Sequence, residues 1–443
     1  MTTLKVAKFG GTSVADAAQL RRVKAIVEAD PGRRWVVPSA PGKRTGSDQK
    51  ITDLLYLCHE SAKRGIGFEE VFGLIAGRYR EIVRDLGLSL DIDALLDEIR
   101  NHMKAGANAD YCASRGEFLN GHIVSELLGF DFVDPAEIVL FDERGTFLPE
   151  ATNDAVQSRL KKHPRAVVSG FYGSKPDGSI KTFSRGGSDI TGAIVARGVG
   201  ADVYENWTDV SGLLMADPRV VKDPKPIEIV TYRELRELAY MGATVLHDEA
   251  IFPVRESGIP VNIRNTNDPD DPGTMIVRGN GQSGGLTYTG QITGVAGRKG
   301  FSIIAIEKTL MNAEIGFARR LLSVLESNGI SFEHMPSGID TVSVVLATSE
   351  LEGKLEKVVR EIKVECRPDS VEVHHGIALV ATVGRGMMHI PGMAARVMTS
   401  LADASVNIRM IDQGSGELNI IVGVKEGDFE HAVRAIYAAF VTD

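Results

Sequence analysis

Cysteine is scarce in this chain of 443 residues: Cys58, Cys112 and Cys366 form an odd, widely spaced set. That rules against a disulfide framework and a thiolate metal site, and points to reduced thiols in the core. No apolar run is long enough to span a bilayer, so no membrane association is expected. The first eight residues carry two lysines and lead directly into an expected strand, which leaves no room for a signal sequence and suggests a cytoplasmic protein. The formal net charge is -9 and no basic block stands out, which argues against a nucleic-acid partner. Also absent are a G-x-x-x-x-G-K-[ST] phosphate loop, a protein-kinase motif set and a nucleophile elbow. His374-His375 has no obvious acidic partner in sequence and reads as a surface or strand-end pair rather than a metal site.

The length implies two or three domains. Up to about residue 275, short apolar strands such as Trp35-Val36-Val37, Ala166-Val167-Val168 and Val261-Asn262-Ile263 alternate with helical stretches such as 51–63 and 232–241. This alternation predicts an α/β domain on a mostly parallel sheet, over residues 1–285. A stretch rich in Asn, Asp and Pro (265–273) and a glycine-rich one (279–285) mark its end. Gly279 to Gly284 formally matches GxGxxG, but no amphipathic helix follows, so it is not read as a dinucleotide site. Beyond the linker, sliding Gly316 onto Gly392, an offset of 76 residues, aligns Leu321 with Val397, Leu325 with Leu401 and Ile330 with Val406. The pattern predicts two copies of one small α+β module, 286–370 and 371–443, each strand, helix, strand, turn, strand, helix.

Three clusters carry chemistry. Lys8-Phe9-Gly10-Gly11-Thr12-Ser13 sets a cation and bare backbone at a strand-to-helix turn, where free N–H groups attract an anion. A plain glycine turn with a surface lysine is the alternative. Ser184-Arg185-Gly186-Gly187-Ser188-Asp189 opens a second helix; Arg185 can grip a carboxylate with two parallel N–H bonds, and Asp189 can orient Lys8. Alternatively Ser188 or Asp189 simply caps that helix. In Arg115-Gly116-Glu117 the glutamate could meet an ammonium, or sit in a first helical turn for dipole reasons alone. The run from Trp207 to Arg219, after an expected strand at 203–205, reads either as a nucleotide-edge loop using Thr208, Asp209 and Arg219 or as a polar turn.

Together these motifs, with Val406 to Asn419, resemble aspartate kinase over almost the whole chain and in the right order. The resemblance implies an amino-acid-kinase fold followed by two ferredoxin-like ACT domains, and transfer of the γ-phosphoryl of ATP to the side-chain carboxylate of L-aspartate, the first step toward lysine, threonine and methionine. The acceptor carboxylate is already ionised at neutral pH, so no general base is needed. Mg²⁺ is carried by ATP, with no protein metal site implied. Lys8 and Asp189 are the implied catalytic pair; Ser39, Thr52, Glu117, Arg185 and Ser188 the aspartate pocket; Gly10, Gly11, Ser13, Thr208, Asp209 and Arg219 the nucleotide contacts. Ser331, Glu333, Ser337 and Asp340 would meet a lysine or threonine effector, in a homodimer or homotetramer assembled through the ACT domains. The chain departs from the family pattern at Thr244, where many members have lysine, and at Leu214, where others have tyrosine, leaving Lys222 or Lys225 to replace the lost charge. The competing readings are another enzyme of this fold and a catalytically weak amino-acid sensor.

Overall fold

A computed structural model describes residues 3–184, 186–243, 251–279 and 291–441. The chain forms two compact units, Met1–Leu213 with Pro226–Tyr232 and Val245–Tyr288, and Leu214–Lys225 with Arg233–Thr244 and Thr289–Asp443. The strands are β1 (Lys5–Phe9), β2 (Arg33–Pro38), β3 (Asp131–Val133), β4 (Ala166–Val168), β5 (Tyr172–Ser174), β6 (Ile180–Thr182), β7 (Val203–Thr208), β8 (Leu213–Leu214), β9 (Pro226–Ile227), β10 (Ile229–Thr231), β11 (Val261–Asn265), β12 (Thr274–Val277), β13 (Gly294–Glu307), β14 (Thr341–Ala347), β15 (Ser370–Val383), β16 (Met410–Asp412) and β17 (Asn419–Lys425). The helices are α1 (Ala17–Glu28), α2 (Ile51–Lys63), α3 (Glu69–Leu86), α4 (Ile92–Lys104), α5 (Ala109–Leu128), α6 (Pro149–Leu160), α7 (Gly187–Val199), α8 (Tyr232–Tyr240), α9 (Phe252–Ser257), α10 (Phe317–Ser327), α11 (Thr348–Leu351), α12 (Leu355–Cys366), α13 (Met393–Asp403) and α14 (Phe429–Phe440).

The first unit is built on a sheet in the order β10-β12-β11-β7-β1-β2-β4-β3, in which β11 and β12 run antiparallel while β7, β1, β2 and β4 are parallel neighbours. Val6, Ala7, Phe9, Val36 and Val37 are fully buried, as expected of strands covered on both faces. Cys58 and Cys112 lie in this core and Cys366 in that of the second unit, and burial pushes the thiols of the first two up to about 12 and about 11.

Two expectations about the helices need correction. The glycines after β1 open a short 3-10 turn, Gly11–Val14, and α1 starts only at Ala17, because Asp16 accepts from the Gln19 amide at 2.9 Å and takes the cap. Glu117 lies two turns into α5, whose cap is Asn108, so the helix dipole does not account for it.

The second unit carries the repeat in one sheet, β14-β13-β15-β17-β16. β13 and β15 are long strands paired with each other, and the register of β13 slips between Arg298 and Ile303. Gly300 (φ 91°) and Gly376 (φ 68°) sit at matching places in the two copies and supply the left-handed backbone where the pairing slips. Residues 334 and 337 bridge to Val345 and Val342, completing the first copy, and His334 Nδ1 lies 2.6 Å from Asp412 Oδ2 in the second. In the second copy the strand after α13 is β16, which starts at Met410 after the Arg409 amide bonds to the Gly423 carbonyl. His374 sits inside β15, 3.6 Å from Glu372.

Candidate active site

In an open parallel sheet, sites form where strands end. β1, β2, β4 and β7 end at Phe9, Pro38, Val168 and Thr208, and the loops that follow carry most of the expected residues. Lys8 stands opposite Val37 on β2 and Asn206 on β7. It is almost wholly buried, and its Nζ lies 2.5 Å from Asp189 Oδ1 at the start of α7. Asn206 Nδ2 donates to the same oxygen at 2.7 Å, and the Tyr204 hydroxyl to the Asp189 carbonyl at 3.0 Å. Asp189 therefore does not cap α7: the capping residue is Gly186, in the left-handed region at φ 57°, and no side chain bonds there. Arg185 lies outside the described residues, as do Thr244 and residues 280–290.

The Gly10 amide donates to the Trp207 carbonyl at 2.9 Å. A Cβ on Gly10 would stand 3.5 Å from the Trp207 carbonyl oxygen and 3.6 Å from Lys8 Nζ, so the glycine turn lies directly beside the ammonium. Gly11 is closed from behind by Gly42, whose amide donates to the Gly11 carbonyl at 2.8 Å; a Cβ on Gly42 would fall 2.5 Å from the Gly11 carbonyl carbon. Arg78 of α3 donates to the carbonyls of Ala15 and Gly42 and holds this layer together. Ser13 accepts from the Thr266 hydroxyl at 2.8 Å.

On the β2 side, Ser39 follows the strand and its carbonyl accepts from Asn120 Nδ2 at 2.6 Å. Glu117 is buried, and loss of water pushes its carboxyl up to about 8, opposed by the Ala40 amide and the charge of Arg115. Arg115 is itself buried among rings, 4.5 Å from Tyr111 and from Phe118 and 5.1 Å from Tyr172. Ser188 is buried against Gly170, where a Cβ would come within 2.5 Å of its hydroxyl. Next to it, Phe171 is held at φ 85°, an uncommon conformation for a bulky residue, with its amide bonded to Thr191. Thr52 lies in the first turn of α2, half-buried.

Of the expected nucleotide contacts, Thr208 ends β7, with its hydroxyl 3.2 Å from Asp209. Trp207 faces the core instead, its ring between the guanidinium groups of Arg33 and Arg264 and its Nε1 bonded to Glu205. Arg219 and Leu214 belong to the second unit, where Asp217 pairs with Arg219 at 2.6 Å. In that unit Glu333 accepts from the Tyr240 hydroxyl and lies 3.8 Å from Arg298; Asp340 accepts from the Leu310 amide at 2.8 Å; Ser331 and Ser337 are exposed. Among the described residues no cluster of three His, Cys, Asp or Glu could hold a metal, and no helix is long and apolar enough to cross a membrane.

Asn206, Asn120, Gly42, Phe171 and Thr266 were not read from the sequence. Only strand pairing brings Asn206 beside Lys8, and only the packing of α5 under β2 brings Asn120 to Ser39.

Known proteins resemble this chain in sequence and fold. The Amino acid kinase family matches residues 3–265 and an ACT domain family residues 380–440. Aspartokinase 3 of Bacillus subtilis is 39% identical over 99% of this chain and 98% of its own length. The crystal structure of Clostridium acetobutylicum aspartate kinase superposes with a TM-score of 0.91 at 53% identity, covering 99% of this chain and 100% of that one. Escherichia coli aspartokinase III, 27% identical, matches both with aspartate and ADP (TM-score 0.71, 98% of this chain and 99% of that one) and with lysine and aspartate (0.73, 99% and 100%). The chain thus belongs to the amino acid kinase family and, within it, to the aspartate kinases, which phosphorylate aspartate.

Proposed function

We propose that phosphoryl transfer takes place in the space bounded by Lys8, Gly10 and Asp189, with aspartate held between the loops after β2 and β4. The observation that carries this reading is the Lys8–Asp189–Asn206 cluster, a buried ammonium paired with a carboxylate beside the glycine turn. Bound with Mg²⁺, ATP supplies the phosphoryl group. Lys8 neutralises the charge that grows on it, and the Gly11 turn lets it approach the backbone closely. Asp189 and Asn206 keep the Lys8 ammonium in place, so little reorganisation accompanies the transfer. Ser13, Thr208 and Asp209 are the remaining nucleotide contacts.

Glu117 receives the aspartate ammonium, Arg185 clamps the α-carboxylate, and Ser39, Thr52 and Ser188 line the pocket. The side-chain carboxylate attacks as it stands, with no proton to remove. The first compact unit is the catalytic domain, and the second holds the two ACT copies together with 214–225 and 233–244. Lysine or threonine binds at Ser331, Glu333, Ser337 and Asp340, in a dimer or tetramer working in the cytoplasm; the lysine complex of the Escherichia coli relative supports an effector of this kind. Hydroxamate formation from aspartate, ATP, Mg²⁺ and hydroxylamine tests the reaction. Product from aspartate and none from glutamate is expected; the reverse preference, or no product, refutes it.

A further inference from the structure

Two acceptor atoms on α5 are shut off from water and have no hydrogen-bond partner: Glu117 Oε2 and Asn120 Oδ1. Their residues are three apart, so they share one face of the helix. That face meets the turn after β2, where Asn120 Nδ2 donates to the Ser39 carbonyl at 2.6 Å and the Ala40 amide supports Glu117. The Ser39 bond fixes which way the Asn120 amide points, so the unbonded atom is the oxygen. A buried acceptor without a donor loses its hydration and gains nothing in exchange. A primary ammonium, with three N–H donors and no acceptor, can satisfy both atoms at once.

We infer that Asn120 is a second binding residue for the substrate ammonium, sharing it with Glu117. The inference rests on the reading that the amino acid binds beside Glu117. It gives the site a geometric preference for an α-amino dicarboxylate over the same diacid without nitrogen. A merely structural Asn120 would instead serve to pin Ser39 and would favour both ligands equally.

The test compares aspartate with succinate, which lacks the amino group, as ligands of the full-length protein measured by calorimetry. Asn120→Leu and Asn120→Ser are each examined, the smaller serine serving if the leucine variant does not fold, with thermal melts as the check. The expected result is about tenfold weaker aspartate binding, the effect of one lost hydrogen bond to a charged group, with succinate binding and the KM for ATP changed less than about twofold. Equal losses for both ligands, or no loss for either, overturn the inference. Glu117→Gln separates the two levels of the argument. If it fails to discriminate aspartate from succinate, the ammonium pocket itself is misassigned; if it discriminates and the Asn120 variants do not, only the role of Asn120 falls.

Discussion

The Lys8 ammonium is held by a partner on another element, Asp189, and that carboxylate is steadied by Asn206 from a third. Lys8→Ala is therefore expected to lower kcat by about 10²–10³-fold, the range for losing one preorganised charge, and to lower the melting temperature as well, because Asp189 is left without its partner; steady-state kinetics with a thermal melt decides it. Glu117 calls for a pH profile. Burial raises its carboxyl from 4.5 to about 8, so below that pH the group is increasingly neutral and cannot pair with an ammonium. The KM for aspartate should rise as pH falls from about 9 to about 6, with the KM for ATP unchanged; a flat profile would exclude Glu117 from the pocket. The sign for stability is opposite to that of a salt-bridged acid. Between 4.5 and about 8 the folded chain keeps a proton that the unfolded chain has lost, so this group destabilises the fold progressively as pH rises through that window. Glu117→Gln should remove that slope from urea midpoints measured across it.

Periodicity made most elements legible: α2 and α8 run where the apolar spacing indicates, and β2, β4 and β11 coincide with the short apolar runs. What it could not supply were starts and partners. α1 is delayed by a cap at Asp16, and α5 begins two turns before Glu117, because local side chains decide where helices start. Lys8 and Asp189 could be paired from their motifs, whereas Asn206 carries no motif and meets them only through the parallel register. Gly42 belongs to the same class, since its small size matters only once the Gly11 turn is packed on it. Gly42→Ala is expected to destabilise the protein by about 1–3 kcal/mol through that overlap and to raise the KM for ATP; a variant with unchanged melting temperature and kinetics would show that the turn can yield.

At the scale of the whole molecule, the two compact units do not divide the sequence once. Segments 214–225 and 233–244, numbered within the catalytic stretch, fold with 289–443. α8 is fastened inside that second unit by Glu234, which is fully buried, accepts from the Thr293 hydroxyl at 2.6 Å and from the Arg385 amide at 2.9 Å, and pairs with the Arg385 guanidinium. Glu234→Ala breaks a buried pair and is expected to cost about 3–5 kcal/mol in chemical unfolding; a loss below about 1 kcal/mol would mean that the network relaxes without it. Activity titrated with lysine and threonine, singly and together, should fall, and Glu333→Gln should shift the half-inhibitory concentration upward without changing uninhibited turnover. Flat titrations would leave the repeated modules as assembly elements.

The bond from Tyr240, at the end of α8, to Glu333 has a genetic consequence. Bacteria selected on toxic amino-acid analogues for escape from end-product control should yield mutations in the codons for residues 233–240 as well as in the downstream repeats. A mutagenesis library confined to the last third of the gene would miss them.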